Sequence, residues 1–221
     1  MNNYNIWLTS DLHFSHLNIL KFQKERCETM GITEDMTDTE KLHKHNEWIV
    51  NMWNMTVKKE DHVYILGDVS FGSTEETRKI LERLKGNKHL IIGNHDKSCR
   101  GLENYFVSVS QIKEFPIKKY QYDFLDENIY LVLCHFPMIA WNRRMHGAFQ
   151  IHGHLHGNGD DLNKKDRELR VDIGLDSELA NYGLVSLEKV YKHMKDKLTE
   201  GEFKTFEEYV EHKALMDGIR F

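Results

Sequence analysis

The chain has 221 residues, which at roughly 100–200 residues per domain favours one large domain or two small ones, long enough to bury a core without staples. Apolar residues make up 40% and charged residues 29%, which excludes a collagenous, low-complexity or strongly disordered chain. With 30 Lys and Arg against 35 Asp and Glu the net charge is −5, so no global positive field draws the protein to nucleic acid or anionic lipid.

The first five residues are polar and the apolar stretch after them ends at Leu8, so neither a signal peptide nor a membrane span is expected. Three cysteines form no disulfide framework, and a cytoplasmic protein with reduced thiols is the expectation. Ile6-Trp7-Leu8-Thr9 reads as a buried strand. Thr39 to Met55 reads as an amphipathic helix, with Leu42, Trp48, Ile49, Met52 and Trp53 near helical spacing and Thr37 or Thr39 as N-cap. His62 to Leu66 is a strand ending at Gly67, Thr74 to Leu84 a helix stopped near Gly86, and His89 to Ile92 a strand ending at Gly93. This rhythm predicts βαβ units and a mainly parallel sheet.

In the second half, Phe115 to Tyr122 and Asn128 to Cys134 read as an antiparallel pair about a turn at Asp126-Glu127-Asn128. Phe149 to His152, Leu169 to Ile173 and Leu184 to Ser186 are further strand candidates; Leu187 to Leu198 and Phe203 to Met216 read as helices. No composition break divides the chain, so the expectation is one mixed α/β domain of two sheets with helices outside, residues 199–221 forming a C-terminal helical extension.

Histidine is the unusual component: 14, as many as glycine. Five polar segments each sit at the carboxyl end of a predicted strand: Asp11-Leu12-His13, Gly67-Asp68, Gly93-Asn94-His95-Asp96, Cys134-His135-Phe136 and Gly153-His154-Leu155-His156. Ligands of open α/β sheets bind beyond those ends. Imidazole and carboxylate together suit Zn, Mn, Fe or Ni, and no cysteine joins the set. Asp11, His13, Asp68, Asn94, His135, His154 and His156 are more donors than one ion with an open position needs. Two ions about 4 Å apart use them all, with Asp68 the natural bridge and a hydroxide between the ions as nucleophile. An anionic ester is the obvious target.

The order D-x-H, G-D, G-N-H-D, H, G-H-x-H resembles that of the calcineurin-like metallophosphoesterases, and each element is present in the residues just named. The run from Trp7 to Ile19, in which D-x-H is followed by Phe14 and a second histidine, His16, is similar to a group of small bacterial and phage stand-alone phosphoesterases. Trp53-Asn54 ahead of Asp61 to Asp68 also fits that group. The resemblance spans residues 5 to about 190 and leaves the tail after Leu198 outside it.

It implies two mixed sheets face to face, flanked by helices in a four-layer α/β/β/α sandwich. It implies one metal on Asp11, His13 and His156, another on Asn94, His135 and His154, and Asp68 bridging. It implies that His95 is no ligand but orients or protonates the leaving oxygen, with Asp96 holding its ring, and that Asn94 helps stabilise developing charge. The resulting expectation is a hydrolase cutting a phosphoester with two divalent transition metals, Mn²⁺ first among them. A phosphodiester or nucleotide-type substrate is favoured over a phosphomonoester, and a catalytically silent metal-binding scaffold is the rival. Long duplex nucleic acid and membrane are not expected partners.

Other positions stay open. His16 contacts substrate or assists a ligand, or else caps the helix starting at Leu17. Arg143 and His146 are candidate substrate contacts on a loop expected near the same rim, with Arg143-Arg144 otherwise a solvated pair. His152 reads as core, and Asp172 and Asp176 as turn or supporting residues. The run Asp160-Asp161-Leu162-Asn163-Lys164-Lys165-Asp166 reads as a solvated loop able to cover the site. His43, His45, His62, His89, His193 and His212 are read as having no role.

Overall fold

Period-two alternation builds the first sheet. In the computed structural model, which describes residues 3–161, 168–200 and 203–216, Ile6 and Leu8 of β1 (Ile6–Thr9) face one apolar cluster while Trp7 packs against another. β2 (His62–Ile65) repeats this, with Tyr64 turned to the first cluster and Val63 and Ile65 to the second. β3 (Asn87–Ile91) follows, Leu90 on one side and Ile91 on the other. These strands run parallel, Leu8 opposite Tyr64 and Tyr64 opposite His89. β4 (Ser108–Ser110) adds in parallel on one edge and β9 (Val185–Ser186) antiparallel on the other, giving the order β4-β3-β2-β1-β9.

The second sheet is β5 (Ile112–Ile117), β6 (Ile129–Cys134), β7 (Phe149–His152) and β8 (Arg170–Asp172), in that order. Its first pair is antiparallel and the others parallel. Leu131, Leu133, Phe149, Ile151 and Val171 share one buried cluster with Ile6, Leu8 and Tyr64, which is the core between the sheets. The expected strand from Phe115 to Tyr122 instead runs from Ile112 to Ile117, before a 3-10 turn at Lys119–Gln121. Pro116 is tolerated there because β5 is an edge strand.

Among the described residues the helices around this frame are α1 (Ile19–Phe22), α2 (Lys24–Met30), α3 (Asp38–Thr56), α4 (Thr74–Arg83), α5 (Leu187–Glu200) and α6 (Phe206–Met216). α3 and α4 start in capping boxes; Glu40 N donates to Thr37 Oγ1 at 3.3 Å and Thr37 N to Glu40 Oε2 at 2.8 Å, and Ser73 and Glu76 repeat the arrangement. Ile49, Val50, Trp53, Ile80 and Leu81 cover the outer face of the first sheet. α2, not foreseen from the sequence, exposes most of its residues and ends on Gly31 at φ 64°. α5 and α6 close the inter-sheet core through Val190, Tyr191, Met194 and Phe206. Phe206 meets Phe149 edge-on at 4.7 Å, so the C-terminal segment packs into the body of the protein. Among the described residues no helix is long and apolar enough to cross a membrane.

The topology puts the carboxyl ends of β1, β2, β3, β6, β7 and β8 at one rim. There the sheets touch: Ser10 bridges to Gly174, and Leu175 N donates to Ser10 O at 3.0 Å.

Candidate metal centre

The rim is built from strained backbone. Asp11 (φ 58°), His13 (52°), Asp68 (56°), His154 (72°) and His156 (51°) all adopt the left-handed region, which costs a non-glycine residue about 1–3 kcal/mol. Hydrogen bonds between the segments hold these conformers in place. Asp11 N donates to Gly67 O at 3.1 Å, His13 N to Asp68 O at 3.0 Å, and His154 N to Asp11 Oδ2 at 2.9 Å. Close approach needs glycine as neighbour: a Cβ on Gly93 would sit 2.4 Å from Asp68 Oδ1, and one on Gly153 2.1 Å from Ser10 Oγ. Asp96 serves this scaffold. Its carboxylate accepts from the amides of Val69 (2.8 Å), Gly93 (2.7 Å) and Asp68 (3.1 Å), so it does not hold the His95 ring as expected.

The structure brings the seven expected donors together. β2 lies between β1 and β3, so Asp68 stands between Asp11 and Asn94. Asp68 Oδ2 lies 3.8 Å from His13 Nε2 and Asp68 Oδ1 3.6 Å from His135 Nε2. Asp11 Oδ1 lies 3.8 Å from both His13 Nε2 and His156 Nε2. His135 Nε2 is also 2.9 Å from Asn94 Oδ1 and 3.2 Å from His154 Nδ1. Separations of 3.6–3.8 Å exceed hydrogen-bond length, yet suit two ligands that each stand about 2.0–2.2 Å from one cation. Among the described residues, two groups bring their donor atoms within 4.8 Å of one another: Asp11, His13 and His156, and Asp11, Asp68 and His135.

Buried polar atoms without a partner carry the test of fit. Asp11 Oδ1 and His13 Nε2 are buried and hydrogen-bond to nothing, which a buried polar atom rarely tolerates. Both point into the first group. Burial raises the Asp11 carboxyl above the ordinary carboxylate range, although His156 and His135 pull it down. Burial, followed by the charges of His156 and Arg26, holds the His13 pKa far below the usual imidazole value. Neutral imidazole is the form that binds a metal. A donor set of carboxylate, imidazole and amide oxygen therefore fits a divalent transition ion.

One supporting group lay outside the motifs. Arg26 of α2 is fully buried and forms an ion pair with Asp176, its Nε donating to Asp176 Oδ1 at 2.7 Å. The same guanidinium donates to the carbonyls of Asp11 (3.0 Å) and Leu12 (3.3 Å), and lies 3.4 Å from His45 Nε2. Asp176 Oδ2 in turn stands 2.6 Å from His156 Nδ1, turning Nε2 toward Asp11. Burial works to raise the Asp176 pKa, but the bond to His156 and the Arg26 charge lower it overall. Burial lowers His156, and Asp176 and Asp11 more than offset that, leaving it raised. The expectation that His45 has no role is therefore corrected: it packs beside the Arg26 guanidinium. No sequence spacing links position 26 to position 176; only the fold does.

His95 is exposed at the mouth, its ring 4.6 Å from that of Phe71 and 6.3 Å from that of His13. His16 does not cap a helix; Asn18 holds the N-cap position of α1. Its ring stacks on Phe71 at 3.6 Å and 8°, and its Nδ1 is 3.2 Å from His13 Nδ1. His152 is fully buried, with Nδ1 2.8 Å from Gly153 O.

Arg143 and His146 are not at this rim. Their loop enters β7 at its amino end, and β7 runs parallel to β6. Arg143 lies over Tyr130 near the start of β6, and His146 is 3.8 Å from Glu207 of α6. Sequence proximity to the G-H-x-H element misled here, because a strand's length separates its two ends. Of the segment expected to cover the site, residues 162–166 lie outside the described residues.

Residues 4–175 match the family model described as calcineurin-like phosphoesterase. The chain is 30% identical to the uncharacterized protein MJ1445 of Methanocaldococcus jannaschii, over 85% of this chain and 89% of that one. It is 28% identical to the Gene 66 protein of Mycobacterium phage L5, over 85% and 92%. A crystal structure of a protein of unknown function, AQ665 from Aquifex aeolicus, shares the fold with a TM-score of 0.59 at 23% identity, over 86% of this chain and all of that one.

Proposed function

Because the chain belongs to the calcineurin-like phosphoesterase family, we propose that it hydrolyses a phosphoester with two divalent transition-metal ions, a phosphodiester or nucleotide-type ester being the favoured substrate. The observation that carries the reading is the divided Asp68 carboxylate, with one oxygen facing His13 and the other His135. One carboxylate shared between two histidine clusters is the arrangement that two neighbouring cations require.

Asp11, His13 and His156 would hold one cation, Asn94, His135 and His154 the other, with Asp68 between them. Bound there, the cations supply Lewis acidity toward phosphoryl oxygens and a nucleophile available at neutral pH. His135 Nδ1 faces the Leu66 carbonyl at 2.6 Å, which leaves Nε2, 2.9 Å from Asn94 Oδ1, to share a cation with it, and the Asn94 amide would help stabilise the developing charge. His95, exposed at the mouth, would carry the proton to the leaving oxygen.

Chelator-treated protein should turn over neither bis-p-nitrophenyl phosphate nor p-nitrophenyl phosphate, and Mn²⁺ should restore turnover, faster on the diester. Asp68→Asn should lose turnover and drop the bound metal from two ions to one or fewer per chain, read by elemental analysis. No turnover of any ester across a broad metal-supplemented panel would leave the scaffold reading standing instead.

A further inference from the structure

Eleven large apolar side chains stand substantially exposed among the described residues, and four of them sit in the loops that carry the metal donors. They are Phe71 after Asp68, Ile92 before Asn94, and Phe136 and Ile139 after His135. Phe71 is 38% exposed and Phe136 43%, although both rings touch the centre. Phe71 lies against His16, His13 and His95, at ring distances of 3.6, 5.2 and 4.6 Å. Phe136 lies edge-on to His135 (4.9 Å) and His154 (4.7 Å). The two rings thus flank opposite sides of Asp68, which stands between His13 and His135.

Two exposed phenyl rings at the border of one polar centre offer apolar surface that a bound ligand can cover. A phosphodiester has two arms on phosphorus, and one phenyl ring borders the centre on each side. Every nucleobase offers a π-face to such a ring, whatever its sequence. A cavity of about 290 Å³ opens beside Asn94, with Ile92 at its wall and Lys97 and Arg100 beside the carboxylate of Glu103 in its lining.

Resting on the phosphoesterase reading, we infer that the substrate is a single-stranded nucleotide diester whose two bases pack against Phe136 and against the part of Phe71 that His16, stacked on one face, leaves exposed. A duplex does not fit this mode, because its bases are already stacked on each other.

The experiment is calorimetric titration of the metal-loaded full chain with a phosphorothioate-linked deoxydinucleotide and with its analogues lacking either base. The wild type should bind the two-base ligand about fivefold to hundredfold more tightly than each analogue. Phe71→Ala and Phe136→Ala should each erase the preference for one base, and Phe136→Tyr should keep it, with metal content unchanged. Equal wild-type affinities for the three ligands, or a preference that survives both alanine variants, overturns the inference. The wild-type comparison decides the matter even where an alanine variant folds poorly. Failure of the phosphoesterase reading registers separately, as no turnover of bis-p-nitrophenyl phosphate, since the titration needs no chemistry.

Discussion

The two ends of the first sheet carry similar residues and treat them in opposite ways. At the amino end, Asp61 is buried and accepts from Asn5 N (2.8 Å), Trp7 Nε1 (3.0 Å) and Lys58 N (3.0 Å). His62 and His89 meet at 2.8 Å, and His89 also reaches Ser108 Oγ at 2.8 Å. At the carboxyl end, Asp11 Oδ1 and His13 Nε2 are as buried and bond to nothing. The backbone differs in the same sense, relaxed along β2 and β3 but left-handed at the donors beyond β1, β2 and β7. Buried histidine and aspartate are thus no sign of a metal by themselves. Unmet hydrogen bonds on strained backbone are what set the carboxyl rim apart.

The largest expected effect tests the support of the carboxyl rim. Arg26→Met would strand the Asp176 carboxylate in the interior, at a cost of about 3–5 kcal/mol in denaturant unfolding. It should also weaken metal affinity by about 10- to 100-fold, because Asp176, which orients His156, loses the guanidinium that holds it. Unchanged metal affinity in a folded variant would break the link drawn from Arg26 to the centre. Asp61→Ala is the matched change at the amino end. It should cost about 1–3 kcal/mol by orphaning donors, and metal titration should show wild-type affinity.

The pH response comes next. Burial and the neighbouring His62 pull His89 from 6.5 to about 4. The unfolded chain therefore takes up this proton first, so stability is full above the higher value and falls as pH drops toward the lower. The slope from this group is at most about 1.4 kcal/mol per pH unit. His89→Gln should flatten urea-midpoint curves measured between about pH 7 and pH 5, relative to wild type. The smallest effect is expected at Arg143. Its replacement by Ala should change stability by about 0.5 kcal/mol or less and leave ester turnover intact. A marked loss of turnover would contradict its place at the amino end of the second sheet.

Much of the centre was legible in the sequence because each donor follows its strand directly, and strand ends can be read from apolar runs closed by glycine or a polar turn. The sandwich was legible from the same alternation, Trp7 against Ile6 and Leu8. β4 was not, since three residues with no buried side chain leave no pattern. α2 was not, since its exposed face dilutes the periodicity. Arg26 and Asp176 are 150 positions apart, and nothing local in either marks it as the partner of the other. Nothing in the sequence marks Phe71 either; only the fold stacks His16 on it.

The seam between the sheets has a consequence for the order of assembly. Asp11, His13, Asp68 and Asn94 come from the first sheet, and His135, His154 and His156 from the second. Neither sheet alone owns the complete donor set proposed for either cation. A nascent chain that has folded only its first βαβ units therefore brings Asp11, His13, Asp68 and Asn94 but none of the three histidines of the second sheet. On the two-metal reading proposed above, full cation uptake would then report that both halves have docked in register.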